Sequence, residues 1–446
     1  MNTPVFDFLQ KYNKHEFSRF HMPGHKGKGN MCEKFDITEI KGADSLFEAD
    51  GIIMESEKNA SSLFGTKCTL YSTQGSTLAI QTMLTLATSK VDNPIVIAVR
   101  NAHKAFINAC VLLDIDVKWV FPEYVDGSIT SGIFTPDDIE NAIKTCERKP
   151  SAVYITSPDY LGRMAYLKPI SEICRKYDVP LLVDNAHGAY LNFLDENIHP
   201  MNSGADMCSD SAHKTLPVLT GGGYLHISEK SDKSFSENAK SAMSVFASTS
   251  PSYLTLASLD LCNKYLDEKI KDDLKAIIPH INELKKQVEK FNFINCSDEP
   301  LKVSLYTLNT GLHGYEIADM LRESKIECEY ADETHIVFMI STMNTPEEIK
   351  KLKDALISIK QPRIRLEAVR FNLTPPEKAM SIRKAGLSAS EEISVDDALG
   401  RICSKVVVAC PPGIPVVVSG EVINSDVIKI LKRYSILTIN VVKLEH

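Results

Sequence analysis

The chain lacks several features that would each have pointed to a function. Its 11 cysteines are scattered singly with no CxxC pair, which argues against a zinc ribbon or a redox dithiol. No uncharged apolar run is long enough to span a bilayer. The opening MNTPVFDFLQKYNKHEF holds no apolar run of signal-peptide type. Basic charge is not in excess either: 50 Lys and Arg against 58 Asp and Glu give a net charge of −8. A nucleic-acid partner therefore has no electrostatic support. Internal repeats and low-complexity tracts are absent. Scattered thiols suit a reducing compartment, where they behave as small apolar residues. A cytoplasmic protein without membrane or nucleic-acid partners is the expectation.

The 446 residues, 43% hydrophobic and 24% charged, fit a globular protein of more than one domain. The start reads as a short amphipathic helix with Thr3 as cap, Pro4 in the first turn, and Val5, Phe6, Leu9 and Tyr12 along one side. From about residue 59 to 226, short apolar runs alternate with helical stretches. The runs are PIVIAV (94–99), VKWVF (117–121), SAVYIT (151–156), PLLVD (180–184), ADMCS (205–209) and GGYLHI (222–227). Most are nearly continuous in apolarity, as strands buried on both faces are. The alternation predicts an α/β fold with a mainly parallel sheet wrapped by helices. Past about residue 256 come a long charged helical stretch (267–290) and then short strands and helices, a smaller α+β region. The boundaries expected are 1–50 for an N-terminal helix and active-site loop, 51–260 for the large domain, and 261–446 for the C-terminal α+β domain and tail.

In parallel sheets ligands collect outside the carboxyl ends of strands, and four features fall there. TQGSTLAIQTML (73–84) offers a helix N-terminus with Gly75, Ser76 and Thr77, an anion site in which phosphate is a common guest; ordinary helix capping is the competing reading. RNAHKAF (100–106) places His103 after a strand, to stack on a flat ring, act on a proton, or serve structure alone. LLVDNAHGAY (181–190) ends a buried strand at Asp184, where a carboxylate is paired, functional or a turn cap, with His187 and Gly188 close behind. SDSAHKTLPVLTGGGYLH (209–226) sets Lys214 beside Ser211 and His213, ahead of Gly221 to Gly223, which either permit close packing or form a plain turn. Lys214 follows Asp184 by 30 residues, room for one helix and one strand, so the two can end on neighbouring strands. An aspartate, a lysine and a phosphate cup at one sheet edge are the parts that pyridoxal 5′-phosphate needs. Lys214 would form a Schiff base with its aldehyde, and Asp184 would keep its pyridine nitrogen protonated. Ser76, Thr77, Ser211 and His213 would hold the phosphate, Gly75 would let the backbone approach, and His103 would lie on the ring face.

The chain resembles the Orn/Lys/Arg decarboxylase family of fold type I pyridoxal-phosphate enzymes, in a short form without an N-terminal wing domain. The resemblance rests on FHMPGHKGKG (20–29), TQGSTLAIQ, RNAHKAF, SPDYLGR (157–163), VDNAHGAY, SAHKTLPVLTGGGYLH, STSPSYLTLASLD (248–260) and PPGIPVVVSGE (411–421), in family order over nearly the whole chain. It implies an aspartate-aminotransferase-like architecture, with a large domain around a mainly parallel sheet of the seven-stranded type and a smaller α+β C-terminal domain. It implies decarboxylation of lysine, ornithine or arginine to the matching amine and CO2, and a homodimer or dimer-based oligomer. By the same resemblance, His103 stacks on the ring, His187 lies near ring and substrate, and Thr249 and Ser250 belong to a cofactor- and substrate-side loop near the dimer interface. His21 and His25 either line the substrate entrance or anchor the N-terminal helix. The sequence departs from the family at Asn185, where glutamate is common, at Leu161–Gly162–Arg163, and at Ala409 and Cys410. A cationic substrate side chain needs a carboxylate, and Asp44, Glu48 and Glu421 are the candidates. Two alternatives stand beside the decarboxylase: an aminotransferase or side-chain lyase on the same scaffold, for which Arg363, Arg365 or Arg370 would clamp a carboxylate, and a non-catalytic binding protein.

Overall fold

The computed structural model describes residues 1–15, 17–124, 128–368, 373–408 and 413–443. Arg370 and the segment Ala409 to Pro412, both singled out above, lie outside the described residues. Along the chain run α1 (Pro4–Lys14), α2 (Ile52–Phe64), β1 (Cys68–Ser72), α3 (Gly75–Thr88), β2 (Ile95–Val99), α4 (Lys104–Leu113) and β3 (Asp116–Val120). Then come α5 (Pro136–Lys144), β4 (Ala152–Thr156), α6 (Leu167–Lys176), β5 (Leu181–Asp184), β6 (Met207–Asp210), a single helical turn Ala212–Thr215, and β7 (Gly223–Ile227). The helices α7 (Lys233–Ser244), α8 (Tyr253–Glu268) and α9 (Ile270–Glu289) follow, then β8 (Lys302–Tyr306), α10 (Gly314–Glu323), β9 (His335–Met339) and α11 (Pro346–Ser358). Each apolar run read as a strand is one, within a residue or two at its ends. None of the described helices is long and apolar enough to cross a membrane.

Two compact units divide the chain. The first comprises Met1–Ser89, Pro180–Ala276 and Ser341–Met343. Its four strands lie in the order β1-β7-β6-β5. β5 and β6 are parallel, with Asp184 opposite Ser209 as their last pair, while β7 runs antiparallel to both β6 and β1. β5, β6 and β7 are buried at every position, as expected of strands covered on both faces. α3 is apolar nearly all round and correspondingly buried, with nine of its residues inside. At α1 the reading from sequence holds: Thr3 is the N-cap, Pro4 opens the first turn, and Val5 and Leu9 are buried. Asp260 of α8 is fully buried and accepts the Phe6 N–H at the start of α1 (3.0 Å) and the Ser56 hydroxyl of α2. It thus ties three helices together. His21 bonds the Tyr12 hydroxyl of α1 (2.7 Å) and His25 faces Asp36 (3.2 Å), which accords with an anchoring role for the loop.

The second unit comprises Lys90–Val179, Ile277–Ile340 and Asn344–His446. Here β2 pairs in parallel with β3 and with β4. β2 is buried throughout, whereas β3, DVKWV, is half-exposed at four of its five positions, as an edge strand is. A separate antiparallel sheet contains β8 and β9, flanked by two-residue strands. Its helices carry strong start signals: Thr345 caps α11 in a capping box with Glu348, as Thr135 does α5 with Asp138. A further apolar core gathers Val416, Val417, Ile423, Val427, Ile430 and Val441, among others, near the C-terminus.

Candidate active site

The first unit brings three chain segments together. Parallel neighbours β5 and β6 end side by side, so the turns that leave them share one edge of the sheet. The turn after β5 carries Asp184, Asn185 and His187, and it closes with the Gly188 N–H donating to the Asn185 carbonyl (2.8 Å). The turn after β6 carries Ser211, His213 and Lys214, with the Lys214 N–H donating to the Ser211 carbonyl (3.0 Å). Across the two turns Lys214 Nζ lies 3.1 Å from His187 Nε2. Asp184 is 1% exposed and accepts the Ser209 hydroxyl at 3.4 Å.

The third segment is the N-terminus of α3. Its first-turn N–H groups have no intrahelical acceptors, and the helix dipole adds partial positive charge there. Ser211 Oγ stands 3.0 Å from Ser76 Oγ, joining the Lys214 turn to this helix end. The junction depends on glycine. The Gly75 N–H donates to the Gly221 carbonyl (2.7 Å), and a Cβ on Gly223 would lie 2.8 Å from the Asp210 carbonyl oxygen and 3.2 Å from the Gly75 backbone. The glycine run serves both: Gly221, at φ +94°, lies in a turn closed by the Gly222 N–H on the Leu219 carbonyl (3.0 Å), and Gly223 permits the close packing. His213 donates through Nδ1 to the Gly222 carbonyl (2.9 Å). Burial, together with the neighbouring Lys214, holds its imidazole below the usual range against that hydrogen bond, favouring the neutral form.

The structure thus groups Gly75, Ser76, Asp184, His187, Ser211, His213 and Lys214. Thr77 follows Ser76 on the exposed side of α3's first turn, and Thr249 and Ser250 occupy an exposed bend between α7 and α8. His103 belongs to the second unit, where it is the N-cap of α4 and accepts the Ala105 N–H through Nδ1 (3.2 Å). An amine, a buried carboxylate, two hydroxyls and a helix N-terminus within one unit match in kind what an aldehyde, a pyridine nitrogen and a phosphate require. By this test the residues fit pyridoxal phosphate.

Two carboxylates considered for a substrate side chain are committed elsewhere. Glu421 is buried and takes both Nη groups of Arg100, each at 2.7 Å, plus the Val418 N–H (2.8 Å). The Arg100 guanidinium is itself fully buried against the rings of Trp119 (4.8 Å) and Phe121 (5.3 Å). Glu421 is a counter-ion for Arg100 because an unpaired buried guanidinium would be costly. Asp44 accepts backbone N–H groups from Ser45, Asp50, Gly51, Ile53 and Met54 at 2.8–3.3 Å, the last three opening α2. Burial pushes its carboxyl up, but those N–H groups outweigh burial and leave it below the usual range. Glu48 is exposed.

The reading from sequence passed over one buried polar group. Asp210, at the end of β6, is fully buried with Asn185, His199 and His226 around it. The available signal was a charged residue closing the buried run ADMCSD.

Residues 3–304 match the family described as Orn/Lys/Arg decarboxylase, major domain, and residues 365–438 match its C-terminal domain. The arginine decarboxylase of Bacillus subtilis (strain 168) is 30% identical over 456 residues, covering 95% of this chain and 92% of its own length. The biodegradative arginine decarboxylase of Escherichia coli (strain K12) is 25% identical over 305 residues, 59% of this chain and 40% of its own. Among solved structures, the lysine decarboxylase of Francisella novicida superposes with a TM-score of 0.81 at 18% identity, covering 99% of this chain and 81% of its own. A Sphingomonas wittichii serine palmitoyltransferase superposes with a TM-score of 0.56 at 13% identity, covering 80% and 83%. With this fold and these matches, the chain belongs to the Orn/Lys/Arg decarboxylase family and is a pyridoxal-phosphate-dependent amino-acid decarboxylase of fold type I.

Proposed function

We propose that the chain decarboxylates a basic amino acid, with arginine as the first candidate, and that Lys214 is the residue that carries the cofactor. The observation that carries this reading is the 3.1 Å approach of Lys214 Nζ to His187 Nε2, beside the buried Asp184 and the N-terminus of α3. Arginine comes first because the Bacillus subtilis relative, similar over nearly the full length of both chains, bears that name.

In this reading Lys214 holds the cofactor through its amine, and Asp184 pairs with the proton on the ring nitrogen. Ser76 and Ser211 donate their hydroxyls to the phosphate, with Thr77, His213 and the N–H groups of α3 as further donors. Pyridoxal phosphate, when bound, supplies an electron-accepting ring that takes up the electron pair released as the Cα–carboxylate bond breaks. Asp184 stabilises that charge from its buried position, where an ionic partner counts for more than in water. His187 is in hydrogen-bond reach of the Lys214 amine and can hold or pass on the proton that Nζ gives up. A homodimer is part of the same reading; the exposed Phe20 and Met31 of the N-terminal segment would give it apolar surface, and the exposed Thr249 and Ser250 would be open to a neighbouring subunit. So is a cytoplasmic location, supported by cysteines that stand as thiols among the described residues.

A product assay tests the proposal. Purified protein and pyridoxal phosphate are incubated separately with arginine, lysine and ornithine, and the amines are identified by mass spectrometry, with Lys214→Ala as control. Agmatine from arginine, absent with Lys214→Ala, is the expected result. Absence of any amine, in protein that still shows the visible absorption of a lysine-bound cofactor, would overturn the substrate class and favour another reaction on the same scaffold.

A further inference from the structure

Lys214 and the Asp184–His187 pair sit on separate short turns, and a short turn leaves side-chain direction to very few dihedral angles. Something must set one turn against the other. The parallel β5–β6 ladder ends at the pair Asp184 and Ser209, and the next residues in the same register are Asn185 and Asp210. The Asn185 N–H still donates to the Ser209 carbonyl (2.9 Å), and beyond that bond the side chains continue the pairing. Asn185 Nδ2 donates to Asp210 Oδ1 at 2.7 Å, both residues being fully buried.

Asp210 is itself fixed from its other oxygen. Oδ2 accepts from His199 Nε2 (3.0 Å) and from His226 Nε2 (3.1 Å). His199 Nδ1 accepts the Met201 N–H (3.3 Å), which leaves the proton on Nε2. His226 Nδ1 is bonded to the Thr69 hydroxyl (2.8 Å), and burial keeps that imidazole below its usual range and neutral. A metal reading fails on this tautomer. Ligand atoms of His199, Cys208 and Asp210 do lie within 4.8 Å of one another, but the His199 nitrogen facing the group donates a proton and has no lone pair to offer.

The Asn185 end is equally specific. A carboxylate only accepts, so the amide must present its NH2 to Asp210. That leaves Asn185 Oδ1 buried with no hydrogen-bond partner among the described residues. Oδ1 fills the space a Cβ would take on Gly188, with which it would collide. A glutamate at position 185 would instead set a second carboxylate against Asp210.

We infer that Asn185 and Asp210 are the positioning pair that holds the Asp184–His187 turn in register with Lys214, extending the β5–β6 ladder by one side-chain link. The inference rests on the assignment of Lys214 and Asp184 given above. Neither partner touches the reacting atoms; each acts through its neighbours in the chain.

Exchanging the two residues is the test. In Asn185→Asp, two carboxylates meet. In Asp210→Asn, an amide whose oxygen keeps both imidazole bonds turns its NH2 onto that of Asn185. In the double variant Asn185→Asp/Asp210→Asn the donor and acceptor are restored with direction reversed. Cofactor affinity is measured by titrating apoenzyme with pyridoxal phosphate, and the induced circular dichroism of the visible band is recorded per bound cofactor. A merely destabilised fold leaves that ellipticity unchanged. Each single variant should weaken binding by about tenfold or more and alter the ellipticity, and the double should return both to within about threefold of the native values. A double variant no better than the weaker single overturns the inference. If the single variants do not fold, Asn185→Ala, which removes the donor without adding charge, should still lower affinity and ellipticity; native values in it would equally overturn the inference. Lys214→Ala separates the two levels. Survival of the lysine-bound absorption in that variant would sink the assignment of Lys214, whereas its loss together with an unrescued double sinks the positioning pair alone.

Discussion

Asp260 offers a quantitative test of how α1 is held. Burial raises its carboxyl from 3.8 to about 6, against the opposing hydrogen bonds from Ser56 and from the α1 N–H groups of Phe6 and Val5. The folded state therefore favours the protonated form. Its stabilising contribution is complete below the unfolded value near pH 4 and is lost as pH rises through 6. A difference of this size amounts to about 3 kcal/mol in total, of which roughly half falls between pH 5 and pH 8. Asp260→Asn keeps the shape and an acceptor oxygen but cannot ionise. Unfolding free energies of native and Asp260→Asn protein would be measured by urea titration at pH 5, 6, 7 and 8. The variant should gain about 1.5 kcal/mol on the native protein over that range, whatever constant offset its altered hydrogen bonds introduce. A difference that stays flat with pH would refute the reasoning, because it would mean that Asp260 remains solvated or fully compensated when ionised.

Glu421→Ala leaves the Arg100 guanidinium buried without its counter-ion; thermal unfolding should reveal a loss of about 3–5 kcal/mol, while KM in the surviving enzyme stays at its native value. Gly223→Ala drives a methyl group against the Asp210 carbonyl and the Gly75 backbone. It should cost about 1–3 kcal/mol in unfolding measurements and weaken cofactor binding through displacement of the α3 N-terminus.

The strands could be read because their physics is local. Runs such as IVIAV and LLV are apolar at every position, and only burial on both faces accommodates that pattern. Lys214 and Asp184 were readable for a related reason: a charged group closing or following such a run is out of place unless it is held by something. Of the Asp210 group only Asp210 itself carried such a signal; its partners Asn185, His199 and His226 come from three other segments with no spacing rule between them. The pairing of Glu421 was hidden for the same kind of reason. Its partner Arg100 lies 321 residues away, and nothing near Glu421 announces a buried cation. The bonds of Asp44 were hidden locally: the five N–H groups it binds come together only once the chain folds back to start α2.

The Arg100–Glu421 pair also bears on how this chain can be divided or inherited. Arg100 belongs to the matched stretch 3–304 and Glu421 to the matched stretch 365–438. A chain cut between those stretches would keep a guanidinium packed against Trp119 and Phe121 with its counter-charge gone. A C-terminal stretch from elsewhere could stand in for this one only if it brought a carboxylate to the place of Glu421. A chimera built on this chain would have to keep both halves of the ion pair, so its border is constrained by a charge pair as well as by the limits of the two matched stretches.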